Sequence, residues 1–597
     1  MSKSAQGKRR VSAPGAGRRE GRSSGTQEIP RRPGESPGQS GKRAVTPFGH
    51  YEWVFLGLIL LFVVVVRTRL LGFPLERDEG EYAYLGQLIQ QGFPPYSLAY
   101  NMKLPGAYFM YALIMSLFGQ TVSGIHLGLM VMNCLTILLV YKVAAKIINT
   151  FGGVVAACTY AFLSLSPSVL GFAGHATHFV VFWAMAGLLA LLYALEKDRR
   201  HLYLAAGFLL SLAFIMKQPG IFFAFFGAVA IVVHHAQQRT LTAKRMFASL
   251  SPFFGGILLP LFLMIIYLRA SGVFDKFWFF TFVYSFKYAS QVPFSMAPGS
   301  FMVNFPGVVD GFFLIWLFAA LGLVSLFLHP RTREKRIPIS LFVVCSFLTV
   351  CPGFYFRQHY FVPFLPAVSL LVGVFINYVY ISSARAFGAR LPVSGHAVSR
   401  CIAVAAFATA LIVGVVPQSD YLFTEDPGTL CRNIYGANPF PESVEIARFI
   451  ERNTTAADTI AVIGSEPQLY FYSKRHSATG HIYTYGLMEI HNYSLAMQKE
   501  MSAEIEHAKP KFIVVVRVAT SWLARPGSER FIFRWTEDYL RENYNLVGIV
   551  DIVSADNTIY KWYDDVRSYT PRSPANLLVF QRATSFTNPS SPPVPHR

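Results

Sequence analysis

Eleven apolar runs, each close to the length a helix needs to cross a bilayer, constrain this chain more than any motif in it. They lie near residues 52–66, 122–141, 152–170, 177–195, 202–216, 220–235, 247–268, 306–328, 337–351, 361–380 and 401–417. Backbone in hydrocarbon must satisfy its own hydrogen bonds, so runs of this kind fold as helices. None contains Lys or Arg, which fits the cost of charge at membrane depth and argues against a charged conduction or proton-relay path. The expected fold class is an all-α polytopic membrane domain over 49–417 followed by a small soluble α/β domain.

The formal charge of +20 would ordinarily raise nucleic acid as a partner, but the basic residues sit where topology needs them. Residues 1–48 hold 11 Lys/Arg against 3 acids among Ser, Gly and Pro, and are expected to form a disordered cytoplasmic tail. With that tail inside, the five inner connections carry 15 Lys/Arg and the five longer outer ones carry 9, as the positive-inside rule requires. An odd number of spans then places everything after Pro417 outside. The expected partners are therefore membrane lipids and not nucleic acid. The first 45 residues lack the arrangement of a cleavable signal peptide, so the first span reads as a signal anchor. Of the six cysteines only Cys431 lies clearly in the outer aqueous segment, which implies neither a disulfide framework nor a zinc spacing.

Beyond Pro417 the composition becomes that of a soluble module. PESVEIARFIERNTTAAD has helical spacing, TIAVIGSEP and PKFIVVVRV read as strands, and YNLVGIVDIVSADNTIYKWY reads as a hairpin. These place an extracytoplasmic α/β domain at 418–565, with 566–597, rich in Pro, Ser and Arg, as a disordered tail. AVIGSEP lacks the further glycines of a nucleotide-binding turn and is taken as a structural strand.

Alternation puts the unusual polar residues of the outer loops in one aqueous layer. The first loop carries ERDEGEYAY, with Glu76, Asp78, Glu79 and Glu81, and ends in Asn101-Met102-Lys103-Leu104-Pro105-Gly106. GHATH supplies His175 and His178, the third loop Lys217, the fourth an aromatic run from Phe277 to Tyr288, and the fifth Arg357 and His359. Each has a plain reading: Glu76 and Glu81 as solvated surface, the two histidines as interfacial caps, Lys217 as a membrane-surface marker, the aromatics as an interfacial belt or an amphipathic segment lying on the membrane. Together they suit group transfer from a lipid phosphate. A carboxylate can accept the proton of an attacking hydroxyl, and Lys and Arg can stabilise the departing phosphate.

PLERDEGEYAYLGQLIQQGFPPY, then NMKLPGAYFMYALIMSLFG and FRQHYFVPFLPAVSLLVG, resemble the GT-C glycosyltransferases of the protein O-mannosyltransferase-like group, which includes the bacterial aminoarabinose transferase of lipid A. The resemblance covers roughly 50 to 380. It implies an inverting membrane glycosyltransferase with a polyprenyl-phosphate sugar donor, a lipid, glycan or protein acceptor, and a site on the outer face of a bacterial cytoplasmic membrane. By position it makes Asp78 the base or substrate-orienting acid, gives Glu79 a part in placing the acceptor, and assigns Lys103 to the donor phosphate, with Arg357, His359 and Lys217 adding positive charge. Where the lipid A enzyme has an acid before that lysine, this chain has Met102. No required metal or other cofactor is expected, a divalent ion being the open alternative, since neither the fourth nor the fifth outer loop offers a clear ligand set. The runner-up readings are a multi-span transporter or lipid flippase and a non-catalytic scaffold.

Overall fold

The computed structural model describes residues 51–328, 330–388 and 395–583; the basic N-terminal segment lies outside them. Every one of the eleven apolar runs falls on a helix. Eight helical segments are long and apolar enough to cross a membrane: Tyr51–Arg69 (α1), Val122–Ile147, Ala176–Lys197, Gln218–Gln237, Ala243–Ala270, Phe294–Leu328, Gln358–Phe387 and Gly395–Gln418. The runs at 152–170, 202–216 and 337–351 form shorter helices, Thr150–Leu163, Arg200–Met216 and Arg336–Leu348. At 14, 17 and 13 residues they rise about 20–25 Å, short of the roughly 30 Å of a hydrocarbon core.

In α1, Leu56, Ile59, Val63 and Val66 turn inward while Val54, Leu58, Leu61 and Val65 are exposed. A helix apolar on both faces, buried on one only, is at home against lipid. It also runs past the run read from sequence: Arg67 turns inward and bonds to Asn133 Oδ1 and the carbonyls of Ser164 and Gly171. Where helices meet, small residues set the distance. A Cβ on Gly207 would lie 2.0 Å from the Phe253 carbonyl oxygen and one on Gly256 2.1 Å from that of Leu204, so the backbones of Arg200–Met216 and Ala243–Ala270 touch.

The first outer loop holds two helices, α2 (Arg77–Gln90) and α3 (Gly106–Phe118). The C-terminal part contains six strands: β1 (Thr459–Ile463), β2 (His476–Ser477), β3 (Phe512–Arg517), β4 (Tyr544–Ile552), β5 (Thr558–Trp562) and β6 (Asn576–Arg582). Their order is β2-β1-β3-β6-β4-β5, with β1 parallel to β2 and β3 and the remaining pairs antiparallel. Alternate residues of β1 face opposite layers, as the pleat dictates. Ile460 and Val462 belong with Phe440, Ile446 and Ile450 of the helix Phe440–Arg452, whereas Ala461 and Ile463 pack with Met497, Met501 and Ile505 of the helix Ser494–Ala508.

One expectation fails here. The segment read as a tail from 566 supplies β6, an interior strand bonded to both β3 and β4. A strand buried on both faces needs only a short continuous apolar run, and the five residues NLLVF are diluted by the Pro, Ser and Arg around them.

The sheet part is bolted to α2. Arg77 donates to the Ser465 carbonyl at 2.5 Å, to Glu466 Oε1 at 2.8 Å and to Tyr485 Oη at 2.8 Å, and the Ser477 N–H donates to Tyr84 Oη at 2.8 Å. A Cβ on Gly80 would meet the backbone nitrogen of Gln468 at 2.6 Å. Gly80→Ala raises intrinsic helix propensity, yet it should lower stability by about 1–3 kcal/mol through overpacking at this seam. Thermal unfolding in detergent measures it, and an unchanged or raised Tm would show that the seam is loose.

Candidate functional site

The capping box at the start of α2 orients the acidic cluster. Glu76 Oε1 accepts from the Glu79 N–H at 2.9 Å, and the Glu79 carboxylate reaches back to the Glu76 N–H. With the helix start pinned, Asp78 and Glu81, three apart, share one face. Glu79 points elsewhere.

Lys103 Nζ bridges that face, 2.9 Å from Asp78 Oδ1 and 2.7 Å from Glu81 Oε2, while the Tyr108 hydroxyl donates to Glu81 Oε1 at 3.2 Å. Burial opposes the charge of Asp78, but Lys103 first, then His359 and His175, outweigh it and hold its carboxyl well below the usual carboxylate range. Glu81 is enclosed completely. Burial raises it to about 7 against the pull of Lys103. Tyr483 of the C-terminal part donates to Asp78 Oδ1 at 3.3 Å, so that oxygen is held twice. Oδ2 faces His175 Nδ1 at 3.8 Å.

Asp78, Lys103, Lys217, Arg357 and His359 all line one cavity of about 160 Å³. Its walls come from all five of the connections expected to lie outside and from His481, Tyr483 and Tyr485 of the C-terminal part. Gln218 Nε2 donates to the Met102 carbonyl at 2.7 Å, tying the third loop to the first. Lys217 and Arg357 make no ion pair among the described residues. Lys217 Nζ lies 4.1 Å over the Tyr360 ring and the Arg357 guanidinium 5.3 Å from the Tyr355 ring.

Two readings are corrected by this geometry, that of Glu79 and that of Glu76 with Glu81. Glu79 does not reach the cavity: it accepts from the Gly174 N–H at 2.5 Å and pairs with His126 Nε2 at 3.1 Å, so it positions the second loop against α2. Lys103 has its charge shared between two carboxylates, which leaves the free positive charge to Lys217 and Arg357. Glu76 and Glu81 are buried and structural, not solvated. The aromatic run of the fourth loop forms short helices and a π-helical turn, Phe279–Tyr284, with Phe277, Phe280 and Tyr284 buried and Phe286 exposed. Its inner face roofs the cavity.

The ligand set is also fuller than the fourth and fifth loops suggested. Asp78, His175 and His359 bring one ligand atom each to within 4.8 Å of one another. The two imidazoles stack with centroids 4.2 Å apart. Burial holds His175 down to about 4, so it is neutral and suited to a divalent ion. Lys103 on Oδ1 leaves only Oδ2 for such an ion. His175 thus belongs to the site, whereas His178 is buried among the helices beneath it. The missed contributors are Glu81, legible as the i, i+3 partner of Asp78, and Tyr483, 405 residues from Asp78 and carrying no local signal. As pH falls through about 7, Glu81 takes up a proton, as does Glu489, which burial also raises to about 7. pH-difference infrared spectroscopy should show a buried carboxyl band growing below that pH, reduced by about half in Glu81→Gln. A band untouched by this substitution would contradict the assignment.

Comparison with known proteins places this architecture. Residues 102–267 match the model of the dolichyl-phosphate-mannose-protein mannosyltransferase family. No curated protein matched the sequence. Among solved structures, ArnT from Cupriavidus metallidurans bound to undecaprenyl phosphate is similar with a TM-score of 0.56 and 16% identity over 91% of this chain and 100% of that one. The Archaeoglobus fulgidus oligosaccharyltransferase tethered to an acceptor peptide gives 0.51 and 13% over 87% and 74%. The archaeal oligosaccharyltransferase AglB from the same organism, in complex with an inhibitory peptide and a dolichol-phosphate, gives 0.51 and 13% over 86% and 74%. At these identities the likeness is one of fold. The resemblance read from the outer loops and the succession of spans therefore holds at the level of architecture: this chain is a multi-span membrane protein with the GT-C glycosyltransferase fold.

Proposed function

We propose that the chain transfers a sugar from a polyprenyl-phosphate donor to a hydroxyl of a lipid, glycan or protein acceptor. The observation that carries this reading is one cavity holding an ionised carboxylate, Asp78, together with two cations, Lys217 and Arg357, that no carboxylate neutralises among the described residues. The family match and the lipid phosphates in the two neighbouring complexes support it. In the reaction the acceptor oxygen attacks the anomeric carbon, its proton passes to Asp78 Oδ2, and the carbon–oxygen bond to phosphate breaks. The electron pair leaves with the polyprenyl phosphate, where Lys217 and Arg357 meet the charge that develops. A single displacement of this kind inverts the anomeric centre. A divalent ion held by Asp78, His175 and His359 would supply Lewis-acid polarisation of an oxygen ligand; the donor set fits one, and because such an ion would take Oδ2 it is an alternative to the Asp78 base and not an addition to it.

Asp78 is a weak base because Lys103 holds it ionised. Glu81 moderates this by drawing half of the Lys103 charge away. When Glu81 protonates below about 7, Asp78 becomes weaker still, so turnover should fall on the acid side. The proposed setting is a bacterial cytoplasmic membrane with the cavity and the C-terminal part on the outer side; the excess of Lys and Arg in alternate connections supports this when the three shorter helices are counted as spans with the eight long ones.

The test is consumption of radiolabelled polyprenyl-phosphate sugars by the purified protein with membrane extract as acceptor source, with and without chelator. One donor should be consumed. Asp78→Asn should lower that rate by about 10²–10⁴-fold, and Lys217→Met should lower it by about 10²-fold. Folded variants that match the wild type, or no donor consumed, would overturn the reading in favour of a transporter or scaffold.

A further inference from the structure

The first turn of the membrane helix Ala176–Lys197 is buried and uncapped at once. Its N-cap, His175, makes no side-chain cap, whereas Thr121, Asn149 and Thr242 cap the helices Val122–Ile147, Thr150–Leu163 and Ala243–Ala270. His175, Ala176 and Thr177 are each 2% exposed. The His178 N–H closes onto the His175 carbonyl, but those of Ala176 and Thr177 precede the first intrahelical bond. Thr177 Oγ1 is buried and makes no hydrogen bond among the described residues. Leaving buried donors unpaired is costly, so an end of this kind calls for a partner.

Thr177 lines the same cavity as Lys217 and Arg357. Four features therefore meet there: the positive end of a 22-residue helix, the Thr177 N–H, a free hydroxyl and two cations without carboxylate partners among the described residues. That combination is chemically specific for a phosphate-type anion. Asp78 borders the cavity beside His175, and the donor's phosphodiester anion, which gains a second charge as the sugar departs, avoids that carboxylate by lying toward Lys217, which leaves the sugar between the two.

We propose that the first turn of this helix is the phosphate seat, with Thr177 donating to a phosphate oxygen and selecting the phosphorylated lipid from its neutral alcohol. The inference rests on the lipid-phosphate reading above and adds the group that recognises the anion. The Thr177 N–H acts alongside it, and Lys217 and Arg357 balance the charge.

The experiment measures binding of undecaprenyl phosphate, undecaprenol and inorganic phosphate to the full-length protein in detergent, for wild type, Thr177→Val and Thr177→Ser. Valine keeps the shape and removes the donor. The expected result is about tenfold weaker undecaprenyl phosphate binding by Thr177→Val, recovery in Thr177→Ser, and equal undecaprenol binding by all three. Undecaprenyl phosphate binding that Thr177→Val leaves unchanged overturns the seat, as does a loss shared equally by undecaprenol, which would mark a packing defect. Wild type that binds inorganic phosphate in a Thr177-dependent way but not the lipid keeps the seat and overturns the lipid donor. Wild type that binds neither phosphate overturns both.

Discussion

One ammonium group shared by a buried and a half-buried carboxylate organises this molecule's polar end. Lys103 cannot neutralise Asp78 and Glu81 fully, and burying an unpaired carboxylate is costly. Glu81, wholly enclosed, answers by rising toward neutrality, while Asp78, at the cavity wall, stays ionised. The two acids thus take different states from the same cation because one faces a cavity and the other does not. The rest of the site follows: an ionised group at one wall, and positive charge left over only where Lys217 and Arg357 stand.

Holding that arrangement is the work of parts distant in the chain. Glu79 joins α2 to the loop of Gly174 and to His126, which places His175. Arg77 joins α2 to Ser465, Glu466 and Tyr485, which places Tyr483 against Asp78. The C-terminal sheet is therefore part of the cavity, not a cover added to it. Its helix Ser494–Ala508 adds further ties, Glu500 to Lys276 at 2.5 Å and Glu504 to Tyr100 at 3.0 Å, which hold the first and fourth loops in place.

Much of this was legible before any coordinates. The helices were, because a bilayer permits little else for long apolar runs. Asp78, Lys217, Arg357 and His359 were found as candidates, because charge beside a span is rare enough to notice, and all four line the cavity. Glu79 was misread because adjacency in sequence suggested a shared role, yet neighbours on a helix point about 100° apart. β6 was missed because its apolar run is short and its neighbours polar. Tyr483 could not be found at all, since hydroxyl-bearing residues in a soluble domain carry no signal of what they will touch.

What the sequence determined by itself was the class of solvent this chain lives in, the concentration of its basic charge in alternate connections and the residue types available at one end of the bundle. Hydropathy and charge are local properties, so a linear reading recovers them. The tertiary structure decided which of those charges are spent on each other and which remain free. Lys103 and Lys217 are the same residue type in similar loops; one lies between two carboxylates and the other has none, because folding sets the distances and dielectric on which electrostatic interactions depend.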